Sequence, residues 1–253
     1  MSAKYLAILS GKGGVGKTTT AINIAESLKN FGKDVVLVDA NLVTPNVSLQ
    51  LGLPSTQSNL NAVLKGKSVT KEAICVHKTG LKVIPASISL MESEGNTTVN
   101  FREALAPLAN GAEIVIMDCA AGLWGDISKA VKIADETIIV TNPELPALID
   151  ALKSAKMAER LGATVKGVVL NKVSYSSYDA TDEAIEGILS GYPILEKIPF
   201  DTNVPRSISA RMPVVSYRPR SPAARAYMKL TAKMIGKKYR EGFGYRLLDI
   251  FGL

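Results

Sequence analysis

The chain has 253 residues, of which 47% are hydrophobic and 21% charged, and its formal net charge is +7 at pH 7. This length and composition suit one large α/β domain with a complete hydrophobic core. The two cysteines, Cys75 and Cys119, fit neither a disulfide framework nor a metal-binding spacing, and no apolar run approaches the roughly 20 residues of a membrane span, so we expect a cytoplasmic protein.

Short apolar runs alternate along the chain with segments of helical periodicity. The predicted strands are Tyr5–Ser10, Asp34–Val38, Leu81–Pro85, Glu113–Met117, Glu136–Thr141, Val165–Leu170 and Ile194–Ile198. The predicted helices are Lys17–Phe31, Val99–Ala109, Leu145–Leu161, Asp179–Leu189 and Pro222–Lys238. This alternation predicts a single doubly wound, mostly parallel sheet with helices on both faces, spanning residues 1–238, followed by a short amphipathic tail, 239–253.

A glycine-rich loop lies between the first predicted strand and the first predicted helix. The loop reads Gly11, Lys12, Gly13, Gly14, Val15, Gly16, Lys17, Thr18, Thr19. The glycines let the backbone bring its N–H groups close to phosphate oxygens, and the helix that follows points its positive end at the same anion. Lys17 is placed to reach the β- and γ-phosphates and Thr18 to ligate Mg²⁺, so the sequence predicts a P-loop that binds ATP with magnesium.

Two further segments end in acids that fit such a site. Asp39 and Asn41 follow the second strand, where the loops of these sheets face their ligands. Asp118 ends a later strand, which is the Walker B pattern, and Gly122 follows it closely. By itself a strand that ends in an acid is a weak signal, and the preceding P-loop gives it weight.

The glycine-rich loop, with its extra lysine, resembles the deviant Walker A motif of the MinD/ParA family of dimeric ATPases, and the resemblance runs from about residue 4 to about residue 236. It implies that Lys12 crosses to the ATP of a partner subunit, so that the competent site forms only in an ATP-dependent homodimer. It also implies that Asp39 supports the magnesium shell, that Asp118 holds magnesium through water, and that Gly122 senses the γ-phosphate. The family usually has an acid where this chain has Asn41, which cannot take a proton from the attacking water, so we expect slow hydrolysis.

Base recognition is assigned by the same resemblance. Asn171 corresponds to the family's adenine-reading residue, and Pro199, Phe200 and Asp201 correspond to the loop that closes over the base. His77, the only histidine, is interpreted as a surface residue rather than a catalyst.

The C-terminal region is strongly basic. Residues 206–246 carry eleven Lys or Arg against the single acid Glu241, which suggests either a solvated helix face or a surface for a polyanion. At 100° per residue an apolar face follows in the tail, made of Phe243, Leu247, Leu248, Ile250, Phe251. Such a segment resembles the terminal membrane-targeting helix of MinD proteins; the alternative is a helix docked on the protein's own core.

These features and the resemblance together predict a MinD-like ATPase that dimerises with ATP. The dimer is expected to bind the anionic inner face of the cell membrane and to position cellular machinery. The activating or cargo protein is unknown. Two alternatives stay open: a ParA-like ATPase that binds nonspecific DNA through the basic region, and a slowly hydrolysing, ATP-gated scaffold or adaptor.

Overall fold

A computed structural model describes residues 3–89, 98–122 and 127–239. Within these residues, eight strands form one sheet in the order β3-β4-β2-β5-β1-β6-β7-β8, and every neighbouring pair is parallel except β3 with β4. The strands are β1 (Lys4–Leu9), β2 (Val35–Ala40), β3 (Cys75–Val76), β4 (Lys82–Ile84), β5 (Ile114–Cys119), β6 (Glu136–Thr141), β7 (Thr164–Val173) and β8 (Ile194–Pro199). The predicted doubly wound, mostly parallel sheet is confirmed.

Helices cover both faces of this sheet. They are α1 (Lys17–Asn30), α2 (Val47–Leu51), α3 (Leu60–Leu64), α4 (Phe101–Leu105), α5 (Ile127–Val131), α6 (Leu145–Arg160), α7 (Asp182–Ile188), α8 (Asn203–Ser209), α9 (Val214–Tyr217) and α10 (Pro222–Met234). One core lies against α1, α2, α9 and α10, and the other against α3 to α7. Strand β1 contributes side chains to both cores, because Leu6 and Ile8 point to the first and Ala7 and Leu9 to the second.

Several element boundaries differ from those predicted. Strand β2 runs two residues past its predicted end, so Asp39 lies inside the strand, where three backbone N–H groups satisfy its carboxylate. The last helix ends at Met234 because Gly236 turns the chain with a φ of 68°. The predicted helix Val99–Ala109 is divided into α4 and a 3-10 turn, Ala106–Asn110. Strand β3 and the short helices α2, α3, α5, α8 and α9 were not predicted.

One face of α1 is joined to the C-terminal helices by hydrogen bonds between buried polar groups, which we call the polar seam. The Thr20 hydroxyl lies 3.2 Å from the Tyr227 hydroxyl of α10, and the Asn23 side chain accepts a backbone N–H of α9 at 3.2 Å. One turn further on, Glu26 accepts the Ser216 hydroxyl at 2.7 Å. Because these bonds are directional, and the first two are buried and the third half-buried, they fix the position of α1 more narrowly than aliphatic packing does.

The carboxyl ends of β1, β2, β5, β7 and β8 meet at one edge of the sheet, since these strands are parallel. The loops that leave this edge border a cleft of 740 Å³, a volume within the usual range for ligand pockets. All the described residues that the sequence assigned to nucleotide or metal lie in or beside this cleft.

Candidate functional site: the cleft at the carboxyl edge of the sheet

The glycine-rich loop forms the floor of the cleft between β1 and α1. Gly14 and Gly16 have φ angles of 80° and 91°, which L residues with side chains rarely adopt. Apart from each glycine and its two chain neighbours, no described heavy atom lies within 4 Å of the positions that Cβ atoms would take at Gly13 and Gly14, so the backbone there is open to an approaching anion. Gly11 is different: it packs on α6, where a Cβ would meet the Asp150 carbonyl oxygen at 2.4 Å.

Lys17 and Thr18 converge on a single buried carboxylate. The Lys17 ammonium donates to Asp118 Oδ1 at 2.6 Å, and the Thr18 hydroxyl donates to Asp118 Oδ2 at 2.6 Å. All three side chains are at least nine-tenths buried. The structure therefore brings the predicted phosphate lysine, the predicted metal hydroxyl and the predicted Walker B acid into direct contact.

Asp39 lies beside this group at the end of β2. Burial, and then the charge of nearby Asp118, raise the pKa of Asp39 to about 7, although hydrogen bonds from the N–H groups of Val47 and Asn41 oppose the shift. Two carboxylates and a hydroxyl are the donor set that Mg²⁺ takes from a protein when phosphate oxygens and water complete its shell. These residues therefore fit a magnesium ion, whose charge would favour the ionised form of Asp39.

Asn41 lines the same cleft, and its amide bonds to a neighbouring loop residue. Its Nδ2 donates to the Thr44 carbonyl oxygen at 2.6 Å, and its Oδ1 accepts the Thr44 N–H at 3.2 Å. The amide is therefore fixed by the loop that follows β2.

Lys12 occupies a different environment from Lys17. Its side chain is 52% exposed on the rim of the cleft, and its ammonium lies 3.8 Å from a carboxylate oxygen of Glu144, which is itself 55% exposed. An ion pair this long and this exposed contributes little stability. Lys12 is therefore available to a ligand or to a second molecule.

Ser10 and Gly122 connect the first strand to the loop after β5. The Gly122 N–H donates to the Ser10 carbonyl oxygen at 3.0 Å, and Gly122 has a φ of 110°. The Ser10 hydroxyl lines the cleft, is buried, and has no hydrogen-bond partner within the described part of the chain. A buried hydroxyl of this kind fits a polar ligand or a water in the cleft. Sequence reasoning did not identify Ser10, although its position directly before the P-loop could have indicated it.

Two residues near the end of β7, Asn171 and Lys172, contact the P-loop, and Lys172 also lines the cleft. Asn171 Nδ2 donates to the Val15 carbonyl oxygen and Lys172 Nζ to the Gly14 carbonyl oxygen, both at 2.7 Å. Asn171 lies so close that a Cβ on Gly16 would be 2.1 Å from its amide nitrogen. The predicted role of Asn171 in reading adenine stays a prediction, and in this structure its amide nitrogen is bonded to the P-loop. Lys172 was not assigned a role.

The remaining predicted base-loop residues lie at the far end of the cleft. Phe200 is 62% exposed and lines the cleft, while Pro199 is the last residue of β8. The Asp201 carboxylate is buried and accepts the backbone N–H groups of Asn203, at 2.8 Å, and Ala223, at 3.1 Å. Asp201 thus connects the starts of α8 and α10, and closure of this loop over a base stays a prediction.

Two other expectations concern regions outside the cleft. The interpretation of His77 as a surface residue was wrong: its ring is buried, with Nδ1 2.9 Å from the Thr79 hydroxyl and Nε2 3.0 Å from the Arg211 carbonyl oxygen. The predicted membrane residues lie outside the described residues; they are Phe243, Leu247, Leu248, Ile250 and Phe251.

The fold and the cleft define a P-loop nucleotide-binding protein of the doubly wound α/β class. The sequence matches, over residues 6–214, the family described as the CobQ/CobB/MinD/ParA nucleotide binding domain. The chain belongs to this family, and the resemblance to MinD/ParA proteins noted from the P-loop is confirmed.

Similar proteins point to the MinD branch. An uncharacterized ATP-binding protein of Methanocaldococcus jannaschii is 40% identical over 239 residues, which cover 94% of this chain and 90% of that protein. The structure of the cell division ATPase MinD of Pyrococcus furiosus superposes with a TM-score of 0.85 at 30% identity, covering 92% of this chain and 99% of that one. The septum site-determining protein MinD of Pyrococcus horikoshii, whose structure contains Mg-ADP, gives 0.84 at 29% identity, covering 92% and 96%. The predicted ligands, ATP and Mg²⁺, agree with these likenesses.

Proposed function

We propose that the protein is a MinD-like ATPase switch, which binds ATP with Mg²⁺, dimerises across the nucleotide, holds a membrane reversibly while dimeric and positions other cellular machinery. The contrast between its two P-loop lysines carries the proposal. Lys17 is buried on Asp118 in its own cleft, whereas Lys12 is half exposed on the rim with one weak ionic contact. That arrangement supports Lys17 as the lysine for the protein's own nucleotide and Lys12 as the lysine offered to a second copy.

The roles of the other residues in the cleft follow from their chemistry. The open backbone at Gly13 and Gly14 would bind the phosphates, and Lys17 would contribute its charge to them. Thr18 and Asp118 would hold Mg²⁺, with Asp39 supporting its water shell. The metal, when bound, supplies charge neutralisation and polarises the phosphate oxygens.

Slow turnover is the second part of the proposal. The Asn41 amide can orient a water by hydrogen bonding, but it cannot accept the proton that the water must lose. Its bonds to Thr44 also restrict its orientation. We therefore expect a long-lived ATP-bound state, shortened by an unidentified activating or cargo protein. If no activator exists, a long-lived ATP-bound state is what we expect of an ATP-gated scaffold or adaptor.

Three alanine variants test the roles of the lysines. Lys17→Ala should lose nucleotide binding, Lys12→Ala should keep most of it but no longer dimerise with ATP, and Lys67→Ala, at an exposed position outside the cleft, should behave as the wild type. Fluorescent-nucleotide titration measures the binding, and light scattering with ATP measures the mass. A Lys12→Ala protein that dimerises with ATP and hydrolyses it at the wild-type rate contradicts the shared site.

Membrane binding is proposed from the tail sequence together with the basic residues before it. No helix within the described ranges combines the length and the apolarity needed to cross a bilayer. A peripheral mode is proposed instead, in which the apolar face with Phe243, Leu247, Ile250 and Phe251 enters the interface. One tail of about nine residues binds weakly, and two tails on one dimer gain avidity of up to ~10²–10⁴-fold. The protein would then be cytoplasmic without ATP and peripheral on the inner face of the cell membrane with it.

Co-sedimentation with anionic liposomes tests the tail. Binding should need ATP and should disappear on deletion of residues 243–253 or on Phe251→Glu, while ATP-driven dimerisation survives. Tyr245→Glu makes the same charge change on the predicted polar face and should reduce binding far less. A truncated protein that sediments as the full-length protein does would contradict the proposal.

DNA binding by the basic region is the competing outcome. In the structure, Lys229 and Lys233 of α10 both pair with Glu196, at 3.0 and 2.7 Å, so part of the positive charge counted in the sequence is neutralised. A parallel ATP-dependent DNA sedimentation assay separates the two functions. Tight binding to DNA without binding to liposomes would favour the ParA-like alternative.

A further inference from the structure

We propose that Lys172, together with Asn171, is a clamp that sets the orientation of the P-loop backbone, and that Lys172 is a positioning residue for phosphate binding. This inference rests on the proposed nucleotide function, and it concerns how the same site is held in its binding conformation.

The end of β7 has an unusual backbone. Consecutive residues of a regular strand point to opposite faces, so Asn171 and Lys172 should not reach the same loop. Lys172, however, has a φ of 57°, in the left-handed region that non-glycine residues seldom occupy. In the pairing with β8, Leu170 lies opposite Lys197 and Val173 opposite Pro199, so three steps on β7 match two on β8. One extra residue on β7 thus shifts the register as a β-bulge does, and we call it the bulge; such features re-aim side chains next to functional sites.

The result of the bulge is that two adjacent side chains bond two adjacent carbonyls. Lys172 Nζ donates to the Gly14 carbonyl oxygen and Asn171 Nδ2 donates to the Val15 carbonyl oxygen, each at 2.7 Å. Strained backbone of this kind persists only where other contacts hold it. The bond to the P-loop is the contact that the strained conformation makes possible.

Because the peptide bond is planar, fixing the direction of a carbonyl also fixes the direction of the N–H group that follows it. In a trans peptide the C=O and the following N–H point in opposite directions. Holding the carbonyls of Gly14 and Val15 toward β7 therefore turns the N–H groups of Val15 and Gly16 away from it. The clamp thus presets two of the donors that a P-loop offers to phosphate, which reduces the ordering needed when the anion binds.

If Lys172 and Asn171 orient the P-loop, their loss should weaken binding of the phosphates. If they only recognised the base, their loss should weaken binding of the nucleotide but not of a phosphate chain without a base. The probes are Mg²⁺ with ATP, with GTP and with tripolyphosphate, which has no base. Lys172→Met keeps the length of the side chain and removes the charge. It should lower the affinity for all three ligands by a similar factor of about ten, the effect of one hydrogen bond. Lys172→Arg should restore most of the affinity, and Lys67→Met should match the wild type. Isothermal titration calorimetry measures each affinity.

A second measurement separates the clamp from direct contact between Lys172 and phosphate. In the ligand-free protein, the NMR order parameters of the Val15 and Gly16 N–H groups should be lower in Lys172→Met than in the wild type, with those of the sheet unchanged, because the clamp fixes the orientation of these two groups. Unchanged order parameters at both amides would overturn the clamp, as would weaker binding of ATP with unaltered binding of tripolyphosphate. A wild-type protein that binds neither triphosphate would overturn the proposed function itself, and the clamp with it.

Discussion

The two ends of the cleft are built on different principles. At the phosphate end, Lys17, Thr18 and Asp118 are buried and bonded to one another, and Asp39 is held by three backbone N–H groups. At the base end, Phe200 is exposed, and the polar groups beside it are bonded to other parts of the fold.

This difference indicates an order of recognition. Buried contacts gather the charged and polar side chains of the phosphate end at one place before any ligand arrives, so phosphate and metal would exchange these contacts for their own. If this end receives the base, as the sequence predicts, its exposed aromatic ring should add affinity but little discrimination. We therefore expect substitutions to have large effects at the phosphate end and small ones at the base end.

The largest expected effect is on folding stability at the phosphate end. Asp118→Asn leaves the Lys17 ammonium buried without its counter-charge, and removing one partner of a buried ion pair costs about 3–5 kcal/mol. Relief of the repulsion between Asp118 and Asp39 offsets part of this, so we expect a loss of about 3 kcal/mol in urea denaturation at pH 7. Asp34→Asn, which breaks an exposed pair with Lys82, should cost less than 1 kcal/mol. Equal losses in both variants would contradict the contrast between buried and exposed pairs.

The next effect is on turnover. Asn41→Asp supplies a carboxylate that can accept a proton, and the new side chain keeps the bond from the Thr44 N–H while losing the one to its carbonyl. General-base assistance is worth ~10²–10⁴-fold when the base is well placed, and an unoptimised carboxylate should give about tenfold. Single-turnover hydrolysis under saturating ATP measures the rate. Asn100→Asp, at the start of α4 and away from the cleft, should leave it unchanged, and a slower Asn41→Asp enzyme with intact ATP binding would exclude the assignment.

At the base end, the expected effect of Asp201 is structural and depends on pH. Burial raises the pKa of Asp201, but hydrogen bonds from the N–H groups of Asn203 and Ala223 outweigh it, so the net pKa is lowered. A carboxylate with a lowered pKa stabilises the fold above its unfolded pKa, near 4, and this stability is lost as the pH falls through the lower, folded value. Asp201→Asn should therefore cost about 1 kcal/mol at pH 7, as for loss of a helix cap, and much less at pH 2–3. A cost that does not change between these pH values would show that the charge of Asp201 is unimportant.

The smallest effect is expected at Phe200. If its exposed ring stacks on the base, Phe200→Ala should weaken ATP binding about fivefold, or ~1 kcal/mol, and leave tripolyphosphate binding unchanged. Tyr178→Ala, which removes a 92% exposed ring that does not line the cleft, serves as the matched control. Loss of tripolyphosphate affinity in Phe200→Ala would place the ring at the phosphates instead.

The sequence predicted the sheet and the P-loop well because both depend on local patterns. Continuous Val and Ile runs indicate buried parallel strands, and the glycine spacing reflects backbone geometry within nine residues. The end of β2 was misplaced because an acid usually ends a strand, whereas Asp39 is kept inside by N–H groups from residues two to eight positions further on.

Features that depend on distant contacts were not predictable in this way. His77 is buried because the carbonyl of Arg211, 134 residues away, satisfies one of its ring nitrogens. The direction of Lys172 depends on the bulge between β7 and β8, which leaves no periodic signal. Strand β3 has only two residues, and the unpredicted short helices are too short to show a 3.6-residue repeat.

The polar seam has a mechanical consequence for the molecule. Aliphatic side chains in contact can slide past one another by a fraction of a helical turn, but the bonds at Thr20, Asn23 and Glu26 fix α1 both along its axis and about it. Sliding α1 against α9 and α10 would break three hydrogen bonds, of which the two at Thr20 and Asn23 are buried and each cost about 1–3 kcal/mol when their groups are left unpaired. We therefore expect α1, α9 and α10 to move as one unit, and α10 is the helix that leads to the basic C-terminal end of the described chain.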